Sequence, residues 1–580
     1  MEETAQQLPD PVTPERDGER VVNPYSRHVV QLTQAEHIEL KWQGNYWKSQ
    51  HGRLKKQHEA LKQELEWAHA KIRDLEQRLY GKKSEKGTTK KDKPTSDGQP
   101  AASRPRGQQE GSRGHGRTPR PDLPIVEEAR DVAPEERTCG LCGKAYAPLS
   151  QTEDSRIIEV QVKAHVRLIK RKIYSQSGDC EGVAGLITAP PAPRVIAKSP
   201  IGISVWTEVL LNKYLFSRAT YNLCTDYAYR GLPLAPGTLT GGLKRLAPLF
   251  EPLLAQYVEK QLSEALFHND ETGWKVFEAI AGKVGYRWYL WVTQSASVVY
   301  YTLAPSRSGD IPIDYFAGLD KRLEQVVVVC DRYSAYKRLA RENAMIILAF
   351  CWAHVRRDFL DAARSWPALQ GWMFSWVDLI GELYTRNAER LEQWDEARAL
   401  EDQTPALMAR HQALAQAIEQ MCERCDQELK KERLHGAQRD VLNSLKNHWL
   451  GLIVFVKLPQ VPMDNNTAER RMRNPVTGRK NYYGSGSSWS ARLAAMMFSL
   501  FQTLLLWKLN PHHWLFDYLT ACAENGGNPP AELAPFIPWR MNEQRQQQLA
   551  KPMPMPMPMP MPMPAAGPSI AERSKLPQPP

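Results

Sequence analysis

Three acidic residues stand where acids could share a metal ion. Asp270 follows the apolar run Ala265-Leu266-Phe267, Asp331 closes the run Val326-Val327-Val328-Val329-Cys330, and Glu469 follows Asp464-Asn465-Asn466-Thr467-Ala468 in the first turn of an expected helix. An apolar run that ends in a carboxylate is what a buried strand looks like where it emerges at a site. Phosphodiester chemistry uses two divalent ions, one at the attacking oxygen and one at the leaving oxygen. Carboxylates are the donors that hard, oxygen-seeking ions prefer. Asp270, Asp331 and Glu469 are therefore candidate catalytic residues and ligands for Mg2+ or Mn2+, with Asp270 bridging the two ions. Glu271, next along the strand, faces the other side by strand alternation.

Arg470, Arg471, Arg473, Arg479 and Lys480 put five positive charges beside Glu469. Side chains of this kind position a phosphate backbone and give salt-dependent binding with little sequence preference, so they are candidate DNA-binding residues. Cys351 and His354 also follow a buried strand but suit packing around the site as well as ligation, and are read as supports. Cys422 and Cys425 lack a partner pair and are assigned no site.

The elements that must position the three acids follow a recognisable order. Strands are expected at Tyr286–Thr293, Ser297–Ala304, Val326–Cys330 and Met345–Phe350, with a helix at Ser334–Glu342. A three-strand meander followed by alternating helix and strand is the order of a ribonuclease-H-like domain, in which the first and fourth strands are neighbours. The fold class is α/β: a ribonuclease-H-like catalytic core over 263–485 with a helical insertion at about 362–455. An N-terminal coiled coil and a small zinc-ribbon-like domain precede it. Gly478 to Ser487 reads as a basic Gly/Ser loop, and 486–540 as a helical region opened by an apolar helix at Leu493–Trp507. That helix is too short and too interrupted for a membrane span.

The front half has a different character. Residues 1–30 read as a disordered arm. In 31–80, Leu54, His58, Leu61, Leu65, Ala68, Ile72, Leu75 and Leu79 repeat at alternating spacings of four and three, the seam of a coiled coil that joins copies of the chain. The alternative is one amphipathic helix packed on its own domain. Residues 81–124 form a basic linker, with eleven Lys or Arg against four Asp or Glu between Gly81 and Arg120. In 125–190, Cys139, Cys142 and Cys180 read as ligands of Zn2+ in a zinc-ribbon-like domain, with strand character over Arg156–Ile173. Ser177 stands where a ribbon would carry a cysteine, so His165 or Asp179 supplies the fourth ligand or the site is decayed. Helices at Val205–Tyr229 and Thr238–Leu262 within 198–262 suit helix-turn-helix DNA binding and any helical hairpin equally. Residues 541–580 read as a disordered tail because Met-Pro repeats build neither helix nor sheet. The 580 residues carry a formal charge of +11 and nine cysteines, and begin without a signal peptide, which points to the reducing cytoplasm.

Four of these stretches resemble the signatures of the transposases of insertion-sequence-66 elements: Asp270-Glu271-Thr272, Asp331-Arg332-Tyr333-Ser334-Ala335-Tyr336, Cys351 through Phe359, and Asn465 through Arg470. Leu79 through Lys86 and the cysteine knuckle resemble the same family, so that the likeness spans about residues 50 to 515. The resemblance implies a DDE transposase that cuts at terminal inverted repeats and joins 3′ ends to target DNA, with Asp270, Asp331 and Glu469 as its triad. The partners so implied are double-stranded DNA, a second copy through the coiled coil, and companion proteins of the same element, with no membrane. Arg332 departs from the glycine usual after the second aspartate. A catalytically decayed, DNA-binding repressor of related elements is the alternative.

Overall fold

The structure is a computed structural model that describes residues 31–80, 127, 131–137, 139, 141–147, 162–175, 186–280 and 283–551. The expected arm at 1–30, the linker at 81–124, the Met-Pro repeats, and Ser177, Asp179 and Cys180 lie outside these residues.

The chain divides into two units at Lys93. In the first, helix α1 (Gln34–Tyr80) is a single 47-residue helix. It starts at a reciprocal cap: the Glu36 amide donates to Thr33 Oγ1 while the Thr33 amide donates to Glu36 Oε2. Leu54, Leu61, Leu65, Ile72 and Leu75 all stand exposed along it.

The second unit begins with the knuckle. The Gly143 amide donates to the Cys139 carbonyl at 2.8 Å, with Gly143 at φ +66°. The backbone amides of Leu141 and Cys142 hold the Cys139 thiol below its ordinary pKa. A short antiparallel pair follows, β1 (Ile173–Ser175) with β2 (Leu186–Thr188). Among the described residues of the strand expected at Arg156–Ile173, only Ile173 is in a strand.

Four helices come next: α2 (Ile203–Leu210), α3 (Thr220–Tyr229), α4 (Pro236–Leu246) and α5 (Glu251–Gln261). The helix expected to run unbroken from Val205 to Tyr229 is interrupted. Ser217 adopts φ +59°, its carbonyl accepts from Asn481 Nδ2 at 2.9 Å, and these distant contacts fix a left-handed residue no helix could contain. The second expected helix is divided at Ala247–Phe250, where Pro248 lacks the N–H that an unbroken helix needs.

The sheet comprises β3 (Leu266–Lys275), β4 (Arg287–Gln294), β5 (Val299–Ala304), β6 (Val326–Cys330) and β7 (Ile346–Phe350), in the order β5-β4-β3-β6-β7. β4 is antiparallel to both β3 and β5, whereas β3, β6 and β7 are mutually parallel. All five residues of β6 are buried, as a central parallel strand covered on both faces must be. Helices α6 (Asp310–Phe316) and α7 (Ser334–Glu342) flank β6. Next come α8 (Trp352–Ser365) and then α9 (Gln370–Leu391), α10 (Pro405–Leu429), α11 (Gly436–Asn447), α12 (Trp449–Leu452) and α13 (Val454–Lys457), the last five filling most of the stretch expected as a helical insertion. The chain then forms α14 (Asn466–Tyr482), α15 (Ser488–Leu506), α16 (Pro511–Glu524) and α17 (Glu543–Ala550).

Strand alternation sorts the sheet into two cores. Trp274, Leu290, Val292 and Tyr301 pack with α14 and α15 and with the helices from 203–261, while Phe267 and Trp291 pack with Tyr336, Trp352, Phe359 and Trp376 on the other face. Helix α15 is the only helix among the described residues long and apolar enough to cross a membrane, yet it is mostly buried inside the fold. Its polar residues explain why. Ser499 Oγ accepts the Tyr301 amide at 2.8 Å and Thr503 Oγ1 accepts the Val299 amide at 3.0 Å. Four helix residues advance about 6 Å and two strand residues about 6.8 Å, so a Ser/Thr pair four residues apart matches alternate amides of the edge strand β5 and closes that edge.

Two expectations are corrected at the C-terminal side. The loop expected from Gly478 is helical to Tyr482. Pro475 cannot donate to the Arg471 carbonyl, but the Tyr301 hydroxyl does so instead at 2.8 Å, and the helix continues through the proline. Residues 543–550, expected as part of a disordered tail, form α17. Asn542 caps that helix and Leu549 is fully buried.

Candidate functional site

The site forms across three mutually parallel strands, at the C-terminal ends of β6 and β7 and partway along β3, which runs on past Asp270 to Lys275. Leu266 pairs with Val327, and the same register continued four residues brings Asp270 level with Asp331. Cys330 pairs with Phe350, which brings Asp331 level with Cys351, and the Cys351 amide donates to the Cys330 carbonyl at 3.1 Å. Asp270, Asp331 and Cys351 thus occupy equivalent positions on neighbouring strands.

Asn465, ahead of α14, brings the third acid to this row. It is buried, its Nδ2 donates to the Asn269 carbonyl at 2.6 Å, and its amide donates to Cys351 Sγ at 3.2 Å. One residue thereby ties the start of the helix to two strands. Glu469 lies in the first turn beyond it. No apolar periodicity signals Asn465, and its place immediately before the helix is the only local clue.

The electrostatics report the convergence. The Asp270 carboxyl is pushed up to about 8, chiefly by burial and by the Glu271 charge, with smaller contributions from Asp331 and Glu469. Glu469 Oε1 is buried with no hydrogen-bond partner. Converging negative charge with an unspent carboxylate oxygen is the environment a divalent cation compensates, so the donors present fit such an ion.

Glu271 leaves the opposite face of β3. Asp270 sits opposite Val292 in one core and Glu271 opposite Trp291 in the other. Its carboxylate is held by Arg307 Nε at 3.0 Å and by the Tyr336 hydroxyl at 2.8 Å. Burial nevertheless leaves its pKa raised.

Two neighbours that the sequence marks only as supports lie beside Glu469. The ligand atoms of Cys351, His354 and Glu469 lie within 4.8 Å of one another, with His354 Nε2 at 3.8 Å from Glu469 Oε1. Burial, and then Arg357, hold the His354 pKa down, against Glu469 and Asp331, which raise it. Burial pushes the Cys351 thiol up to about 11. A Cys-x-x-His spacing directly after a strand that ends level with Asp331 is the signal that could have found them.

Arg332 turns away to Asp358 Oδ2 at 2.6 Å and Ser444 Oγ at 2.9 Å, so the guanidinium at this departure from the family pattern is anchored on α8 and α11. The five basic residues divide. Arg471 donates to Gln294 and Gln502, and Arg479 to Thr272 and the Gly273 carbonyl, so both clamp α14 onto the fold. Arg470, Arg473 and Lys480 are exposed. Of the residues expected to bind zinc, Cys139 and Cys142 stand in the knuckle, and Cys180 lies outside the described residues.

An uncharacterized protein of Sinorhizobium fredii (strain NBRC 101917 / NGR234), y4jD, is 25% identical over 472 residues, covering 78% of this chain and 88% of the relative. A second from the same strain, y4hP, is 24% identical over 446 residues, covering 73% and 76%. No solved structure matches. Residues 198–493, which run from α2 into α15 and contain every residue of the acidic site, match the Transposase IS66 family. The chain belongs to the IS66 transposase family.

Proposed function

We propose that this protein is a DDE transposase that binds the terminal inverted repeats of its element, cleaves DNA there and joins the 3′ ends to target DNA. The observation that carries the reading is the mutual approach of Asp270 within β3, Asp331 just past the end of β6 and Glu469 in the first turn of α14. The strand order, with a meander beside two parallel strands and the first strand next to the fourth, supports a ribonuclease-H-like core.

In this reading Asp270, Asp331 and Glu469 hold Mg2+ or Mn2+. Bound there, divalent ions supply activation of the attacking oxygen and charge stabilisation at the leaving one. Asn465 holds Glu469 at the row of strand ends, and Glu271, tied to Arg307 and Tyr336, keeps β3 in register without facing the acids. Arg470, Arg473 and Lys480 meet the phosphate backbone. The exposed leucines of α1 meet the same stripe of a second copy as a coiled coil, which lets one assembly hold two DNA ends; a full-length chain that sediments as a monomer would remove that step. The compartment is the cytoplasm, where the DNA is.

The test is a joining assay on the element's own ends in Mg2+ or Mn2+. Asp270→Asn, Asp331→Asn and Glu469→Gln each remove one negative charge with little change of shape. Loss of several kcal/mol of transition-state stabilisation, at about 1.4 kcal/mol per tenfold in rate, takes joining below detection. End binding at fixed salt stays near wild type, and Glu271→Gln costs much less. Full activity in Glu469→Gln, or equal loss in Glu271→Gln and Asp270→Asn, sinks the assignment.

A further inference from the structure

The acidic triad is an oxygen-only donor set, yet a nitrogen donor stands within its reach. His354 Nε2 is 3.8 Å from Glu469 Oε1, too long for a hydrogen bond. Two bonds of about 2.1 Å to a shared ion span up to about 4.2 Å, so one ion fits between them. Among the described residues neither ring nitrogen of His354 spends itself on a hydrogen bond, and Glu469 Oε1 is buried without a partner. Cys351 Sγ, the third atom of the cluster, already accepts the Asn465 amide. The imidazole is therefore the open donor. It sits in the first turn of α8, directly after β7, on a backbone fixed by helix and strand.

We propose that His354 is a ligand of the ion held at Glu469, giving that position one nitrogen donor among oxygens and a preference for Mn2+ over Mg2+. The inference rests on the metal-site reading above. Mg2+ takes oxygen donors almost exclusively, whereas Mn2+, though it favours oxygen too, is a transition ion that accepts an imidazole beside oxygen donors, so the nitrogen contributes to Mn2+ binding and little to Mg2+ binding. Removing it thus separates the two metals, which a merely structural role for His354 would not do.

The experiment uses the full chain with Mn2+ as the probe, followed by electron paramagnetic resonance, with Mg2+ as competitor. Wild type should bind Mn2+ with spin-echo modulation from a directly coordinated nitrogen. His354→Ala should abolish that modulation and weaken Mn2+ binding by about tenfold or more, while Mg2+ affinity moves less than about twofold. Because the nitrogen modulation is read on wild type, a variant that folds poorly does not decide the matter. Mn2+ that binds wild type and is lost in Glu469→Gln, but shows no coordinated nitrogen, overturns the ligand role and leaves the acidic site intact. Modulation that persists in His354→Ala also overturns it. Wild type that binds no Mn2+, or Asp270→Asn and Glu469→Gln variants that bind it as wild type does, overturns the underlying metal site as well.

Discussion

The passage of α14 through Pro475 gives a prediction whose magnitude follows from one hydrogen bond. In a helix the amide of residue 475 would donate to the carbonyl of residue 471, and proline has no amide hydrogen. The Tyr301 hydroxyl, from the edge strand β5, supplies the missing donor at 2.8 Å. Burial pushes the Tyr301 phenol far above its ordinary pKa, so it stays a donor across the working range. Tyr301→Phe removes the hydroxyl, keeps the ring and opens almost no cavity, but leaves the Arg471 carbonyl unpaired. An unsatisfied buried group of this kind costs about 1–3 kcal/mol, or roughly 5- to 150-fold in a local opening equilibrium. Native-state hydrogen exchange of the α14 amides reads that opening directly. In a Pro475→Ala background the new amide donates to the Arg471 carbonyl, so the same Tyr301→Phe change should cost less than about 1 kcal/mol. Equal loss in both backgrounds, or no change in α14 exchange in Tyr301→Phe alone, would refute the account of how this helix survives its proline.

The salt dependence of DNA binding should separate the basic residues. Alanine at exposed Arg470, Arg473 or Lys480 should each lower the slope of log affinity against log salt by about 1, while Arg471→Ala, which removes bonds to Gln294 and Gln502, should chiefly lower stability. Lys213, which donates to Thr220 Oγ1 and lies 4.7 Å from the centre of the Tyr482 ring, has its ammonium pushed down to about 8 by burial. Below pH 8 both folded and unfolded chains carry the proton and the folded state bears the full cost of the buried charge. Between 8 and 10.5 only the unfolded chain keeps it, so stability rises with pH across that window. Lys213→Met should therefore stabilise the fold at pH 7 by about 1–3 kcal/mol, measured by denaturant titration, with the advantage shrinking to nothing by about pH 10.5. A pH-independent difference would refute the assignment.

What was legible in the sequence is what periodicity and local chemistry encode. The apolar runs in β3 and β6 each lead into an acid, although β3 runs on past Asp270 to Lys275; the four-valine run is buried, and Glu469 lies in the first turn of its helix as expected. What was not legible depended on partners far along the chain. Ser217 breaks a helix because Asn481 holds its carbonyl, Pro475 fails to break one because Tyr301 serves Arg471, and Ser499 and Thr503 look like flaws in an apolar run until the edge of β5 lies beside them. Arg471 and Arg479 read as DNA-facing charges because their composition is that of a basic surface. Gln294, Gln502 and Gly273, which take up their guanidinium groups, belong to other elements.

The same division runs through the candidate site and bears on what must be intact for it to work. Its acids are local signals, but their meeting is not. Asp270 and Asp331 are brought level by the register of two parallel strands, whereas Glu469 comes from a helix reached only after the helical insertion. The cost of closing so long a loop grows only slowly with its length, so the insertion is thermodynamically tolerable, but it fixes nothing about where α14 returns. That placement falls to contacts made on arrival: Asn465 to Asn269 and Cys351 at the start of the helix, Arg471 to Gln294 and Gln502 in its middle, and Arg479 to Thr272 at its end. Three anchors spaced along a 17-residue helix fix both its direction and its rotation, and therefore which side of its first turn faces the strand ends. The polar side chains of α14 thus divide by helical face: those turned to the sheet set the position of Glu469, and those turned to solvent are the ones left for the proposed DNA contact.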